Sequence, residues 1–291
     1  VHLSNALLLG LARRVRQDLG IPVVCSLQDE DTWVDVMPAA ARQHIWDCMA
    51  ERAEDVALFL SVSHAYAAKM RTALRLGPDR LRVVSPGVDT ASRQPLPPPA
   101  QPVLGYFARL AKSLGINLLV EAFIELCSRP GFEQLRLVAA GGMTADDAAN
   151  LDALRQRLAT AGLADRVQIL EQFEPEKGRE MLASFTALCV PVPAGEAFGL
   201  FVIEALSYGV PVVEPNRGAF PEVLERTGGG VLWEVGSPAS LADALAPVLL
   251  DPAYRGELSA AGLAGVRRHF DLNTVTIPAL LDAYAEAVRQ A

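Results

Sequence analysis

Two acidic residues lie in the segment PVPAGEAFGLFVIEAL, residues 191–206. This segment predicts an anion-binding loop followed by a helix. Glu196 lies at the end of the loop, and Glu204 lies eight positions later in an otherwise apolar stretch. A helix that begins at Gly199 would direct its unpaired N–H groups and the positive end of its dipole towards a phosphate. The carboxylates could accept hydrogen bonds from the hydroxyls of a ligand. The alternatives are helix capping for Glu196 and simple solvent exposure for Glu204.

Arg109 follows a predicted strand at residues 103–107, within the segment GYFARLAKSLG. Ligands of doubly wound sheets bind outside the carboxyl ends of the strands. A guanidinium at that place can hold a phosphate through two parallel hydrogen bonds. The alternative is an ordinary solvated surface arginine.

A cluster of acids follows another predicted strand, residues 21–27. Gln28 is the first residue after this strand, and Asp29, Glu30 and Asp31 come directly behind it. The acids could receive a proton from the hydroxyl of an acceptor, as a general base does. A solvated acidic turn is the alternative.

Several other chemistries lack the residues that they require. The sequence contains no G-x-S-x-G nucleophile elbow, no P-loop and no G-x-G-x-x-G phosphate loop. Metal-ligand spacing is absent among the histidines and cysteines, so no metal site is expected. The residues concerned are His2, His44, His64, His269, Cys25, Cys48, Cys127 and Cys189.

Apolar runs alternate with amphipathic segments along the chain, which is typical of parallel sheets covered by helices. The segment SRQPLPPPAQP, residues 92–102, holds five of the 20 prolines and predicts a linker, because proline neither continues a helix nor fits a central strand. Six strands that alternate with helices after it predict a doubly wound, Rossmann-like domain. The predicted strands are 21–27, 56–62, 81–85, 103–107, 135–140, 167–170, 187–191, 211–214 and 230–233. The predicted helices are 39–53, 65–76, 116–128, 146–161, 176–184, 199–207, 221–225, 238–250, 253–269 and 273–290.

The composition is that of a folded globular protein. Of 291 residues, 51% are hydrophobic and 21% are charged, which excludes a mostly disordered chain. A net charge of −8 argues against general nucleic-acid binding.

Four widely spaced cysteines favour a reduced, cytoplasmic compartment, and no apolar run is long enough to span a membrane. A helix carrying Arg13, Arg14 and Arg16 leaves a peripheral contact with the inner face of the membrane open.

Taken in their order along the chain, these residues resemble the GT-B retaining glycosyltransferases of family 4, the glycosyl transferases group 1. The strongest match is GEAFGLFVIEALSYGVPVVEP, residues 195–215, which resembles the family segment in which seven residues separate two glutamates. The resemblance implies an α/β, GT-B-like fold of two Rossmann-like domains. Supporting matches are VVSPGVD, GYFARL, NLLVEAF and GAFPEVLERTGGGVLWEVGSP, at residues 83–89, 105–110, 117–123 and 218–238.

The resemblance also implies a role for each matching residue. Glu196 would contact the donor sugar, Glu204 would bind the ribose hydroxyls of the nucleotide, and Arg109 would neutralise the departing diphosphate. The resemblance implies no catalytic metal and no cofactor, with a nucleotide-diphospho-sugar as the donor substrate. The further donor-binding residues would be the backbone of Phe198, Gly199 and Leu200, the base-pocket residues Gln172 and Phe173, and the Lys112 side chain.

Three departures from the family pattern bear on activity. Leu114 stands where the family usually has a lysine, and Lys112 lies two positions earlier. Gln28 stands where many members have histidine; with Asp29 and Glu30 it forms the expected acceptor side. The opening strands and the glycine-rich loop of the first domain have no counterpart, so an N-terminally incomplete first domain is expected.

These observations predict a partial acceptor-side domain at residues 1–91, a linker at 92–102, a donor-binding domain at 103–270 and a returning C-terminal helix at 271–291. The expected activity is transfer of a hexosyl-type sugar, with retention, to a hydroxyl of a glycan, a lipid-linked intermediate or a small glycoside. The alternative is a degenerate or truncated non-catalytic relative. A nucleotide-sugar epimerase or a glycogen-type synthase with the same fold is a weaker third reading.

Overall fold

The computed structural model describes residues 1–97, 99–172 and 174–290, so Phe173 and Pro98 of the proline-rich linker lie outside the described residues. The chain forms two compact units, and each is built on a sheet of parallel strands. The first unit comprises Val1–Gly87, Glu196–Phe198 and Phe270–Ala291, and the second comprises Val88–Gly195 and Gly199–His269.

The first unit contains a four-stranded parallel sheet in the order β1-β2-β3-β4. The three predicted strands are present, and β1 is a fourth that the sequence pattern did not indicate. With only two residues, β1 has no periodicity of its own and is defined by its pairing with β2. The strands are β1 His2–Leu3, β2 Val24–Leu27, β3 Leu58–Ser61 and β4 Leu81–Val83, and the helices are α1 Ala12–Leu19, α2 Glu30–Val34, α3 Ala39–Arg52 and α4 His64–Ala73.

The C-terminal helix α12, Ile277–Gln290, belongs to the first unit and follows a π-helical turn at Leu272–Thr276. Its buried Ala283 and Ala287 pack against Val24, Leu58 and Leu60 of the sheet. Small residues allow this close approach of the helix to the sheet, and the shared apolar burial stabilises it. An ion pair between Arg82 of β4 and Glu286 of the helix, with contacts of 2.7 and 3.2 Å, adds to this packing.

The second unit contains a six-stranded parallel sheet in the order β10-β9-β8-β5-β6-β7, which confirms the prediction of a doubly wound α/β domain. Its strands are β5 Val103–Phe107, β6 Arg136–Ala140, β7 Val167–Leu170, β8 Ala187–Leu188, β9 Val212–Pro215 and β10 Gly230–Trp233. Its helices are α5 Ile116–Cys127, α6 Ala148–Thr160, α7 Pro175–Ala183, α8 Leu200–Ser207, α9 Phe220–Thr227, α10 Pro238–Leu250 and α11 Pro252–His269.

Strand β8 is shorter than the predicted strand at residues 187–191. The Val190 N–H donates to the carboxylate of buried Glu214, at 3.2 Å, where a longer strand would have it bond a neighbouring carbonyl. The chain therefore leaves the sheet early and enters the loop that leads to α8.

Within the described part of the chain, no helix combines the length and the apolar composition that crossing a bilayer requires.

Central strand β5 depends on a glycine for its packing. A Cβ atom at Gly105 would lie 2.0 Å from Cδ2 of Phe185, a buried residue just before β8. The ring thus occupies the space that a side chain would need. The close contact positions β5 and the loop that follows it.

Gly105→Ala should therefore destabilise the chain by about 1–3 kcal/mol, because overpacking a filled core forces side chains and backbone to shift. The matched control is Gly256→Ala in α11, where an added Cβ meets no atom within 4 Å. Midpoints of urea unfolding, followed by circular dichroism, measure both changes. Equal midpoints for the two variants would contradict the packing argument.

Candidate functional site

In the second unit, the loop after β5 lies against the loop after β6. The Leu110 N–H donates to the carbonyl of Gly142 at 2.9 Å, and the Ala108 N–H donates to the carbonyl of Ala140 at 3.2 Å. A Cβ at Gly141 would lie 1.8 Å from the Ala108 carbonyl oxygen, so only glycine permits this approach. The backbone around Arg109 is thus fixed at the carboxyl end of the sheet.

Arg109 is exposed at this edge, which fits both an anion-binding residue and the alternative of a solvated surface arginine. Its carbonyl accepts a hydrogen bond of 2.7 Å from the hydroxyl of buried Tyr106, which secures the backbone and leaves the side chain in solvent. The pKa of nearby Asp147 is lowered by hydrogen bonds from the Thr144 backbone and hydroxyl, and further by the charge of Arg109.

Lys112 and Leu114 are the first and last residues of a single 3-10 turn, Lys112–Leu114. Lys112 is exposed, whereas Leu114 is half-buried. The following residue, Gly115, contacts the loop after β8, since a Cβ there would lie 2.1 Å from the Pro191 carbonyl oxygen. The loops after β5, β6 and β8 are therefore packed together at one edge of the second unit.

Helix α8 begins at this edge. Its N-cap residue is Gly199, which has a φ of 80° in the left-handed region and whose Cβ would lie 2.6 Å from the Phe220 ring. Glycine alone combines this backbone conformation with this contact. The first N–H groups of the helix, starting at Leu200, have no partner within the helix and point along its dipole. Leu200 itself is 45% exposed, so the helix start is open to a ligand.

Glu204 lies one turn into α8. Its side chain is partly buried, which does not fit the alternative of a freely solvent-exposed residue. Its side chain is 28% exposed and lies 3.7 Å from Arg93, measured from Oε1 to Nη2. Burial raises the pKa of Glu204, and the charges of Arg93 and Arg179 oppose this rise.

Arg93 is a further candidate site residue, which the sequence pattern did not indicate. It also donates to the Ser207 hydroxyl at 2.9 Å and lies over the Tyr208 ring, 5.2 Å from its centroid. A signal existed, because Arg93 is the only charged residue in the proline-rich segment. Its partners are distant in the sequence, so the pairing itself could not be deduced.

Gln172 is exposed after β7 and lines a cavity of about 740 Å³ within the second unit. The cavity is lined by Val138, Gln168, Leu170, Gln172, Glu174, Lys177, Met181 and Ser184. Phe173, its expected partner in the base pocket, lies outside the described residues.

In the first unit, the acidic cluster after β2 is not a solvated turn. Glu30 is 1% exposed and accepts hydrogen bonds from the Ala6 N–H at 2.8 Å and the Tyr66 hydroxyl at 2.7 Å. Burial raises the pKa of Glu30, and these hydrogen bonds oppose the rise. Gln28 is exposed and donates to the carbonyl of Ser4 at 3.1 Å. The Glu30 carboxylate therefore has a structural role: its hydrogen bonds join the start of α2 to Tyr66 of α4 and to the segment that contains Ala6.

Asp29 is the N-cap residue of α2 and has a φ of 58°, a left-handed conformation that is uncommon outside glycine. Its half-buried carboxylate accepts a hydrogen bond from the backbone of Ala197. Burial raises the pKa of Asp29, the bond from Ala197 lowers it, and the charge of Asp31 raises it further.

Glu196 belongs to the first unit, although Gly195 and Gly199 on either side of its segment belong to the second. Burial raises the pKa of Glu196 to about 7, and the charges of Asp29 and Asp31 add to this rise. Such perturbed carboxyls are concentrated at functional sites, because a group that titrates near neutral pH can both give and accept a proton. The first unit therefore brings Glu196 together with the acids after β2.

Two family models match the chain. The model described as glycosyl transferases group 1 matches residues 88–263, and the model described as glycosyltransferase family 4 matches residues 1–92.

Curated relatives include two proteins named D-inositol 3-phosphate glycosyltransferase. The one from Acidothermus cellulolyticus is 32% identical over 227 residues, which are 73% of this chain and 49% of the relative. The one from Xylanimonas cellulosilytica is 33% identical over 233 residues, which are 73% of this chain and 52% of the relative. The chain thus spans about half the length of the curated relatives that it matches.

Solved structures agree in fold. Sucrose-phosphate synthase from Thermosynechococcus elongatus superposes with a TM-score of 0.84 and 21% identity over 100% of this chain and 74% of its own. HepE from Anabaena, solved in complex with UDP-glucose, superposes with a TM-score of 0.82 and 20% identity over 98% of this chain and 78% of its own. Both similarities support the GT-B assignment. Because the first family model spans more than half of the 291 residues, the chain belongs to the glycosyl transferases group 1 family.

Proposed function

We propose that this chain takes part in sugar transfer from a nucleotide-diphospho-sugar to a hydroxyl acceptor, with retention of the anomeric configuration. The observation that carries the proposal is the edge of the second unit, where exposed Arg109 and the open start of α8 lie on loops packed against one another. This edge is the place where doubly wound sheets bind ligands.

The departing nucleoside diphosphate sets the main electrostatic task, because negative charge accumulates on it as the glycosidic bond breaks. Arg109 would hold its phosphate oxygens with two parallel hydrogen bonds. The N–H groups at Gly199 and Leu200 would donate to the same anion, aided by the helix dipole. Lys112 would add a second positive charge. We do not expect this chemistry to require a metal ion.

Glu196 would contact the donor sugar. A carboxyl with a pKa of about 7 is populated in both protonation states near neutral pH, so it can donate to or accept from the sugar hydroxyls. Phe198, two positions on, is buried and would contribute its backbone amide. Glu204 would accept hydrogen bonds from ribose hydroxyls, and the charge of Arg93, 3.7 Å away, opposes the rise in its pKa that burial causes.

The acceptor would bind on the side of Gln28, Asp29 and Glu30. Because relatives are named for inositol 3-phosphate, this compound is the first acceptor to test. Glycans, lipid-linked intermediates and small glycosides are the further acceptor classes.

The central test is donor-dependent nucleotide release by Arg109→Ala. Loss of one group that stabilises a developing anion should lower this rate by about 10²–10³-fold. The matched control is Arg136→Ala, since Arg136 is also an exposed arginine but stands at the amino end of β6, away from the proposed phosphate site. A coupled assay for UDP, GDP or ADP measures the release. Equal rates for the two variants would remove Arg109 from the mechanism.

Glu204→Gln should weaken nucleoside diphosphate binding by about 10–100-fold, because hydrogen bonds to a charged acceptor are worth about 1.5–3 kcal/mol. The matched control is Glu225→Gln, which neutralises an exposed acid on α9. Isothermal calorimetry with UDP, GDP and ADP gives the affinities. If both variants bind like the original chain, Glu204 does not contact the ribose.

Leu114→Lys tests the alternative of a non-catalytic relative. Adding a cation five residues after Arg109, at the end of the 3-10 turn, should strengthen diphosphate binding by about 10-fold through a further charge-assisted hydrogen bond. Calorimetry on this variant and on Leu114→Met, which keeps the volume and adds no charge, measures the effect. Undetectable binding by the folded original chain together with binding by Leu114→Lys would favour the non-catalytic reading.

A further inference from the structure

Both backbone polar groups of Ala197 are bound by side chains of the first unit. The Ser63 hydroxyl donates to the Ala197 carbonyl at 2.6 Å. The Asp29 carboxylate accepts a hydrogen bond from the backbone of Ala197. A loop residue whose N–H and C=O are both held by buried or half-buried side chains has little freedom to move.

The two partners of Ala197 come from equivalent places on neighbouring strands. Strand β2 ends at Leu27 and β3 ends at Ser61, and these two residues are paired in the sheet. Asp29 and Ser63 each lie two positions beyond. Their spacing is therefore set by the register of the sheet, so it does not depend on a flexible loop.

Ser63 is rigid and its hydroxyl proton is directed. The side chain is fully buried, and its oxygen accepts from the Tyr66 N–H at 3.0 Å as the N-cap of α4. Because the oxygen is already used as an acceptor there, the proton remains for the Ala197 carbonyl. The Ser61 hydroxyl donates to the carbonyl of Ser63 at 3.0 Å and fixes the turn.

Asp29 is also held in one conformation. Its left-handed backbone is less stable than ordinary conformations and persists only when surrounding contacts enforce it. Thr32 provides those contacts, since its N–H and hydroxyl both donate to the Asp29 carbonyl, at 3.2 and 2.7 Å.

The residue after Ala197 is anchored as well. Phe198 is buried and packs edge-on against Phe270, with ring centroids 5.7 Å apart. Glu196 is therefore followed directly by two residues that are fixed on the first unit.

From this arrangement we infer that Ser63 and Asp29 are positioning residues, which hold Ala197 so that the Glu196 carboxyl keeps one place beside the acids after β2. The inference rests on the proposed function, in which Glu196 contacts the donor sugar.

The charged groups around Glu196 determine how its pKa would change if Ser63 and Asp29 no longer held Ala197. Asp29 and Asp31 act on Glu196 directly. Glu30 is bound to Ala6 and Tyr66, and Lys69 forms ion pairs with Asp31 and Asp35. A released Glu196 would move into water and away from these carboxylates, so its pKa would fall towards the ordinary value of about 4.3.

The test is a carboxyl ¹³C NMR titration of the full chain labelled at glutamate, with Glu196 assigned by its absence in Glu196→Gln. In the original chain Glu196 should titrate near pH 7. Ser63→Ala should bring the midpoint down by more than one pH unit, and Ser63→Thr, which keeps the hydroxyl, should restore it. The matched control is Ser237→Ala, which removes a similar N-cap, that of α10, and leaves Ala197 untouched. An unchanged Glu196 midpoint in folded Ser63→Ala would overturn the inference.

Two further variants test the contributions of Ser63 and Asp29 separately. Ser63→Gly replaces Ser63→Ala if the latter does not fold, because glycine is tolerated at an N-cap and likewise lacks the hydroxyl. Asp29→Asn removes the charge and keeps an oxygen for the Ala197 N–H. It should lower the Glu196 midpoint by less than Ser63→Ala does, and a larger drop would show that charge alone sets the midpoint.

Activity separates this inference from the proposed function. Ser63→Ala should lower the rate of donor-dependent nucleotide release by about 10–100-fold, the range expected for misplacing a reacting group by an ångström or less. Its affinity for UDP, GDP or ADP should stay unchanged. If the original chain binds none of the three nucleotides, the proposed function is contradicted. The titration of Glu196 would still decide the role of Ser63 and Asp29.

Discussion

The parallel direction of the strands in both sheets determines where the candidate site residues lie. Parallel strands must be joined by crossovers, so the carboxyl ends of all strands in a sheet open at one edge. In the second unit this edge carries the loops of Arg109, Gly142 and Pro191, and in the first unit it carries the residues that follow β2 and β3. Side chains that are far apart in the chain become neighbours through strand direction alone.

The two units use this edge for opposite charges. The second unit presents Arg109 and Lys112 together with a helix start, a combination that favours an anion. The first unit gathers Asp29, Glu30 and Glu196, whose pKa values are all raised by burial. Burying carboxylates costs free energy unless donors compensate for the lost water, and at Glu30 the Ala6 N–H and the Tyr66 hydroxyl provide that compensation.

Much of the fold followed from local pattern. The predicted strands 103–107, 167–170 and 230–233 match β5, β7 and β10 to the residue, since each is a short and mostly apolar run bounded by turn residues. Strand β1 could not be predicted because two residues have no period. The early end of β8 depends on Glu214, a residue 24 positions from Val190.

The candidate site was predictable by residue type and much less by contact. Arg109 and the start of α8 were identifiable because each follows a predicted strand, at the edge where doubly wound sheets bind ligands. The pairing of Arg93 with Glu204 and the bond from Ser63 to Ala197 were not identifiable, because each joins positions more than a hundred residues apart. Local sequence also gave no sign that Asp29 adopts a left-handed conformation, which only its surroundings enforce.

The segment Glu196–Phe198 shows why such long-range contacts matter for function. Sequence alone places Glu196 with the helix start that follows it, where a carboxylate would be a cap or a neighbour of the dipole. The N-cap residue of α8 is Gly199, and Glu196 instead lies among acids of the first unit. A carboxylate beside a helix start has its pKa lowered, whereas burial beside two other acids raises the pKa of Glu196. The same residue type at the same position would therefore have opposite proton chemistry, and the hydrogen bonds of Ala197 decide between the two.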